Sequence, residues 1–205
     1  MRNGQFTCRA ARGSADARAV IARPALQLLL LTLGACSGFR AVGNDVFRCP
    51  QLGEDQLART IAAHGIRTVV SLRGDGEGTA VTARAAQGAG IAFRNVPMSA
   101  TRLPKPATLL LLWDIAERAE RPLLLHCRMG VDRTGLASAI VMLHDTGDLA
   151  AAQAQLAFLS YGHVAMFRTA AMDEVLERYA PHAGTMAFPD WVRTVYGPEF
   201  LAAPR

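Results

Sequence analysis

The sequence predicts a single α/β domain in which helices flank both faces of a central, mostly parallel sheet. The main observation is that short apolar segments, typical of buried strands, alternate with longer segments that carry apolar residues at helical spacing. A hydrophobic content of 51% excludes a disordered chain. The sequence also has no run of about 18 apolar residues, which excludes a polytopic membrane protein.

The predicted strands are short and rich in apolar or β-branched residues. They cover residues 46–50, 68–72, 91–98 and 123–127. The last of these is apolar over most of its length, which is typical of a central strand in a parallel sheet. Residues 73–78 contain three glycines and are predicted to form a loop.

The predicted helices are bounded by residues that favour helix ends. The first, 54–64, opens with two acidic residues and stops at Gly65. Asp148 is a good N-cap for a short helix that follows it. The other predicted helices cover residues 79–89, residues 107–120, the segment that ends near His144, and residues 168–180.

The chain divides into three predicted parts. Residues 1–35 form a leader, residues 36–180 the folded domain, and residues 181–205 an irregular tail packed on that domain. The formal net charge is +5, and five arginines against one aspartate lie within residues 1–35. Because the rest of the chain is therefore nearly neutral, we expect no nucleic-acid partner.

The leader has the pattern of a secretory signal peptide. Its basic residues end at Arg23, an apolar run extends to Leu33, and small residues precede Cys36. The segment Leu-Gly-Ala-Cys resembles the lipobox of bacterial lipoproteins, which implies lipidation of Cys36 and membrane contact through a lipid anchor. The alternatives are a signal peptide cleaved without lipidation and an uncleaved buried helix. We expect an exported protein, either periplasmic or anchored to the membrane by lipid.

Residues 126–135 carry the chemistry of the chain. They read His-Cys-Arg-Met-Gly-Val-Asp-Arg-Thr-Gly and connect a predicted buried strand to a predicted helix. Successive backbone N–H groups in such a loop can form a nest for an anion at the helix N-terminus. The guanidinium group of Arg133 can bind two phosphoryl oxygens. The predicted phosphate-binding residues are Arg128, Met129, Gly130, Val131, Asp132 and Arg133.

This HCxxGxxRTG pattern resembles the signature loop of the cysteine-dependent tyrosine and dual-specificity phosphatase superfamily. Residues 71–75, Ser-Leu-Arg-Gly-Asp, and residues 94–100, Arg-Asn-Val-Pro-Met-Ser-Ala, also resemble the bacterial branch of that superfamily. The resemblance implies a tyrosine/dual-specificity phosphatase-like fold and a phosphatase activity that needs no metal or other cofactor.

The resemblance also implies a role for each residue of the motif. Cys127 is the expected nucleophile, which forms a phosphocysteine intermediate. Arg133 is expected to bind the phosphoryl group and stabilise the transition state. Thr134 is expected to hydrogen-bond the sulfur of Cys127, and His126 to orient Cys127 and the loop.

The sequence departs from the superfamily pattern at the general acid. Members of the superfamily usually carry an aspartate on a separate loop upstream of the cysteine, but residues 97–102 contain no carboxylate. Asp132 lies inside the signature loop and is the predicted proton donor, as in the myotubularin-like phosphatases that the loop resembles. The alternatives are that Asp132 only stabilises the helix N-terminus, or that Asp75 is the acid.

The substrate class stays open at this point. Arg128 directly follows the cysteine and resembles the basic residues of loops that bind multiply phosphorylated lipids or inositols. We therefore expect either a phosphorylated protein, on tyrosine or on serine and threonine, or a phosphoinositide. The competing functions are an inactive phosphate-binding module and a rhodanese-like sulfurtransferase. Cys49 is expected to be a buried apolar side chain, with a regulatory disulfide to Cys127 as the alternative.

Overall fold

A twisted five-stranded sheet forms the centre of the computed structural model, which describes residues 38–157 and 170–203. In chain order the strands are β1 (Arg40–Gly43), β2 (Val46–Cys49), β3 (Thr68–Ser71), β4 (Ala92–Asn95) and β5 (Leu123–His126). Side by side their order is β1-β2-β5-β3-β4. Only the hairpin of β1 and β2 is antiparallel among these pairs, so the predicted mostly parallel α/β fold is confirmed.

Eight α-helices connect or follow these strands within the described ranges. They are α1 (Glu54–His64), α2 (Glu77–Gly88), α3 (Pro106–Arg118), α4 (Asp132–Thr146), α5 (Leu149–Gln153), α6 (Ala171–Tyr179), α7 (Phe188–Trp191) and α8 (Gly197–Ala202). Short 3₁₀ turns follow α5 and α6, and a π-helical segment, Val192–Tyr196, joins α7 to α8. None of the helices in the described part of the chain is long and apolar enough to cross a membrane.

The two faces of the sheet pack against different helices, because successive side chains of a strand point to opposite faces. In β5, Leu123 and Leu125 lie in the larger core, with α3, α4, α6 and the C-terminal helices. Leu124, between them, lies in the smaller core with α1 and α2. The sheet is thus covered on both sides, which explains why β5 is apolar from Leu123 to Leu125.

The register of the parallel strands brings three strand ends together. Cys49 at the end of β2 and Ser71 at the end of β3 both lie opposite His126 at the end of β5. The carboxyl ends of neighbouring parallel strands are where α/β folds place ligands. The loop from Cys127 to Val131, between β5 and α4, therefore starts at the centre of this edge.

The C-terminal segment differs from the prediction of an irregular tail. It is helical in α7, in the π-helical segment and in α8, and its side chains Phe188, Trp191 and Tyr196 are buried in the larger core. The prolines of this segment predicted an irregular tail. Pro189 and Pro198 instead occupy the first turns of helices, where a missing N–H breaks no hydrogen bond.

Two other elements were also predicted incompletely or not at all. Strand β1 was missed because it is short, mostly exposed and has no apolar alternation. The predicted helix 168–180 is observed as α6, and its first two residues lie outside the described residues.

The predicted N-cap is confirmed, since the Asp148 carboxylate accepts hydrogen bonds from the N–H groups of Ala150 and Ala151.

Candidate active site

The thiol of Cys127 lies at the start of the loop that leaves β5. Its Sγ atom accepts a hydrogen bond from the backbone N–H of Gly130, with a donor–acceptor distance of 3.2 Å. The residue is almost fully buried, while Arg128 and Met129 of the same loop are exposed. Asp132 begins α4, so the loop runs directly into a helix N-terminus. The sulfur thus has a backbone donor and lies in a loop that leads to the positive end of a helix dipole.

Gly130 is the position where the loop can take only a glycine. Its φ angle is +72°, a left-handed conformation that other residues rarely adopt. A Cβ atom there would lie 2.6 Å from the carbonyl carbon of Cys49 and 2.6 Å from the nitrogen of Pro50. The loop backbone therefore packs directly on the backbone at the end of β2.

Arg133 reaches from the first turn of α4 to the end of β3. Its Nη1 donates a hydrogen bond to the carbonyl oxygen of Leu72 at 3.2 Å. Its Nε is buried and has no hydrogen-bond partner among the residues that the structure describes. A buried donor of this kind has an unmet requirement for an acceptor, and an oxygen of a phosphoryl group would meet it.

His126 is a buried, neutral side chain next to the cysteine. Its Nδ1 lies 3.3 Å from the carbonyl oxygen of Cys127, and its Nε2 lies 3.2 Å from the hydroxyl of Thr82. Burial, together with the positive charges of Arg73 and Arg133, lowers the pKa of His126 to about 4 against the opposing effect of the hydrogen bond with the Cys127 carbonyl. A neutral imidazole fixed at both nitrogens orients the loop and adds no charge to the site.

A chain of hydrogen bonds extends from His126 to a second arginine. The Gln51 side chain donates to the Thr82 hydroxyl at 3.2 Å and accepts from Arg73 at 2.9 Å. The backbone N–H of Gln51 donates to the carbonyl oxygen of Arg128 at 3.1 Å. Arg73, in the glycine-containing loop after β3, is thus tied to the same edge of the sheet as the cysteine.

Sequence reasoning missed three of the residues that support the loop: Arg48, Gln51 and Thr82. Arg48 is 1% exposed and donates to two carbonyl oxygens of the loop, those of Gly130 and Val131. The available signal was an arginine inside an apolar strand, Val-Phe-Arg-Cys. Its partners could not be identified without the order of the strands.

The hydrogen bond predicted between Thr134 and the sulfur of Cys127 is not formed in this structure. The Thr134 hydroxyl is fully buried in α4 and has no hydrogen-bond partner within the described ranges. The sulfur instead accepts from the N–H of Gly130.

The candidate acids lie in different environments. Asp132 is half-buried at the start of α4, next to Arg133 in the sequence, whereas Asp75 is exposed in the loop after β3. In the loop after β4, the hydroxyls of Ser99 and Thr101 lie 3.2 Å apart. Of the two carboxylates, only Asp132 is part of the signature loop.

The remaining cysteines fall into two cases. Cys49 is buried with a free thiol, and burial, together with the charge of Cys127, raises its pKa to about 12. Cys49 therefore stays protonated at neutral pH and is a poor nucleophile. Cys8 and Cys36, the second of which is the predicted lipidation residue, lie outside the described residues.

A mostly parallel five-stranded sheet that ends in a Cys-x5-Arg loop at a helix N-terminus defines a protein of the tyrosine and dual-specificity phosphatase type. The family model described as "Polymorphic toxin system, DSP-PTPase phosphatase" matches residues 42–166, well over half of the chain. The chain belongs to this family. No curated protein matches the sequence.

Solved structures share the fold. TpbA from P. aeruginosa is 20% identical, with a TM-score of 0.58, and the match covers 78% of this chain and 90% of TpbA. The core catalytic domain of the PP-IP phosphatase SIW14 from S. cerevisiae is 15% identical, with a TM-score of 0.57 and coverages of 82% and 96%. A Cys→Ser variant of TpbA in complex with pTyr matches at 20% identity, with a TM-score of 0.57 and coverages of 78% and 92%. At these identities the likeness establishes the fold.

Replacing Gly130 with alanine tests the close packing of the loop. Gly147, after α4, also has a positive φ angle, +68°, but a Cβ there would meet nothing within 4 Å. We expect Gly147→Ala to cost about 1 kcal/mol from backbone conformation alone, and Gly130→Ala to cost clearly more and to weaken binding of inorganic phosphate. Urea unfolding and calorimetric titration measure both effects. Equal losses of stability in the two variants would contradict the packing argument.

The low pKa of His126 predicts a specific dependence of stability on pH. The unfolded chain binds a proton at His126 near pH 6.5, but the folded chain binds it only near pH 4. The stabilisation is therefore complete above pH 6.5 and is lost as the pH falls towards 4, by up to about 3 kcal/mol. Urea unfolding at a series of pH values measures it. In His126→Asn, the free energy of unfolding should change less steeply with pH over this range, by an amount that corresponds to at most one proton. An unchanged slope would rule out His126 as the source of the pH dependence.

Proposed function

We propose that the chain is a metal-independent phosphomonoester hydrolase that acts through a phosphocysteine intermediate. The observation that carries this proposal is the surroundings of the Cys127 thiol: the N–H of Gly130 points at its sulfur, and the buried Nε of Arg133 has no acceptor among the described residues. A thiol among backbone donors and a guanidinium group suits attack on a phosphoryl group, because the same donors stabilise the charge on the phosphoryl oxygens.

In the first proposed step, the thiolate form of Cys127 attacks phosphorus through Sγ, in line with the leaving oxygen. The S–P bond forms while the bond from phosphorus to the leaving oxygen breaks, and Asp132 donates a proton to that oxygen. The loop N–H groups and Arg133 bind the three other phosphoryl oxygens throughout. In the second step water attacks the same phosphorus atom, Asp132 takes a proton from it, and the S–P bond breaks. The products are inorganic phosphate and the regenerated thiolate.

Asp132 is the proposed acid and base because of its position. It directly precedes Arg133, so it lies at the N-terminus of α4 beside the anion-binding loop. This position suits both steps, since one carboxyl group can donate a proton to the leaving oxygen and then accept one from water. The loop at residues 97–102, which carries the acid in the superfamily pattern, contains no carboxylate.

The proposed substrates are phosphoproteins, modified on tyrosine or on serine and threonine, or phosphoinositides. Arg73 and Arg133 both lie close enough to act on the pKa of His126, and Arg128 is exposed on the loop. Such a concentration of arginines favours substrates of high negative charge. Among the structures that share the fold, a TpbA variant was solved with pTyr, and SIW14 is named a PP-IP phosphatase.

The proposal extends to where the enzyme acts. Residues 1–35 have the pattern of a signal peptide, and Cys36 has the position of a lipidated cysteine. We place the phosphatase domain outside the cytoplasm, either free or attached to the membrane through lipid at Cys36. The sequence pattern alone supports this part of the proposal.

The full-length chain with p-nitrophenyl phosphate and EDTA tests the mechanism. We expect turnover that Cys127→Ser abolishes, because a serine hydroxyl is a far weaker nucleophile towards phosphorus than a cysteine sulfur. Cys49→Ala is the matched control, since that thiol is buried on β2 and stays protonated; it should keep its turnover. Absence of turnover in the wild type, with inorganic phosphate still bound, would indicate a binding module instead.

The assignment of the acid is tested by changing the leaving group. Asp132→Asn should lower turnover of an alkyl phosphate, whose leaving oxygen needs a proton, by about 10²-fold or more. It should have little effect on kcat/KM for p-nitrophenyl phosphate, because this ratio reports the first step alone and nitrophenolate leaves without a proton; the two substrates are therefore compared by kcat/KM. Asp75→Asn serves as the control and should affect neither substrate. Equal losses on both substrates in Asp132→Asn would overturn the assignment.

A further inference from the structure

The outward-facing carbonyl groups of the signature loop have partners of their own. Arg48 donates from Nη2 to the carbonyl oxygens of Gly130 and Val131, each at 2.9 Å. From Nη1 it donates to the carbonyl oxygen of Gln155 at 2.9 Å. One guanidinium group on β2 thus connects the loop to the 3₁₀ turn Ala154–Leu156.

The location of Arg48 is costly for a charged residue. The side chain is 1% exposed, and the residue lies in the parallel ladder opposite Leu125 of β5. Removing a guanidinium group from water costs several kcal/mol unless hydrogen bonds replace those to water. An apolar side chain of similar length could fill this space without that cost. The three carbonyl contacts are therefore the feature that a guanidinium group provides and an apolar side chain does not.

These contacts fix the direction of two peptide groups. In a trans peptide the C=O and the following N–H point in opposite directions. Holding the carbonyl of Gly130 outward therefore turns the N–H of Val131 inward. The carbonyl of Val131, which Arg48 holds together with the N–H of Gly135, does the same for the N–H of Asp132. In the same way, the bond from the Gln51 N–H to the Arg128 carbonyl directs the N–H of Met129.

We propose that Arg48 is a positioning residue of the phosphate site, an inference that rests on the proposed function. By binding the outer carbonyl oxygens, it holds the N–H groups of Val131 and Asp132 in the orientation that a phosphoryl group requires. Its positive charge also polarises these two peptide groups, which makes their N–H groups better donors. With Arg48 holding the outer side of the loop rigid, the loop N–H groups are preorganised for the transition state.

The test compares Arg48→Met with wild type in the full-length chain. Methionine keeps an unbranched apolar side chain but removes all three donations. We expect the dissociation constant for inorganic phosphate to rise at least tenfold and kcat on p-nitrophenyl phosphate to fall by 10–100-fold, about the loss seen when residues that orient a site are removed. Arg84→Met is the matched control, because Arg84 is exposed and pairs with Glu54 and Glu77 on the surface; it should change neither quantity.

A second variant separates geometry from charge. Arg48→Lys keeps the positive charge, but one ammonium group cannot reproduce the planar fork that contacts three carbonyl oxygens. If the fork positions the loop, Arg48→Lys should also bind phosphate more weakly and turn over more slowly than wild type. Wild-type phosphate affinity and turnover in Arg48→Lys would show that the planar guanidinium group of Arg48 does not position the loop, and would overturn the inference. This variant also decides the matter if Arg48→Met fails to fold.

Stability must be measured beside activity, because a buried arginine also contributes to folding. Folded Arg48→Met or Arg48→Lys with a lower unfolding midpoint but wild-type phosphate affinity and kcat would overturn the inference and leave a structural role. If the wild type binds phosphate without turnover, the proposed function fails, and the comparison of phosphate affinities still tests Arg48. A wild type that neither binds nor turns over would overturn both.

Discussion

The close approach of the Gly130 backbone to the backbone at Cys49 and Pro50 is the contact on which the rest of the site depends. A single added methyl group on Gly130 would lie 2.6 Å from the carbonyl carbon of Cys49 and 2.6 Å from the nitrogen of Pro50. The end of β2 is itself fixed, because Cys49 pairs with His126 in the parallel ladder. The signature loop is thus supported on the strand next to the one from which it starts. A slip of one residue in that pairing would turn the side chains of β2 to the wrong faces and remove the support.

The electrostatics of the site follow from this placement. Loop amides, a helix N-terminus and the arginines at positions 73 and 133 all face one region of the sheet edge. Two uncharged residues beside the cysteine, His126 and Cys49, also shape the electrostatics of the site. His126 is kept neutral by burial and by those arginines, and Cys49 is kept protonated by burial and by Cys127. Neither adds a charge beside the Cys127 sulfur, which leaves the field of the donors for a bound anion.

The signature loop could be identified from the sequence because its chemistry is local. The cysteine, the glycine, the arginine and the backbone N–H groups that form the anion nest all lie within ten consecutive residues. The alternation of strands and helices predicted the sheet that carries this loop. The supporting residues could not be found this way. Arg48, Gln51 and Thr82 act on the loop only because β2 and β3 flank β5, and the order of strands is not encoded in any local pattern. The helical tail was missed for the related reason that its prolines are compatible with helix starts and its aromatic residues become ordered only by packing.

The C-terminal helices bear on the chemistry through the loop that follows β4. The buried hydroxyl of Tyr196 donates to the carbonyl oxygen of Pro104 at 2.6 Å, so the end of this loop is tied to the larger core just before α3 begins. Its middle carries the paired hydroxyls of Ser99 and Thr101, which do not donate protons readily at neutral pH. A loop tethered in this way and without a carboxylate is a poor source of the proton for a leaving group. In the proposed mechanism the proton comes instead from Asp132, the carboxyl group that the signature loop itself supplies at the start of α4.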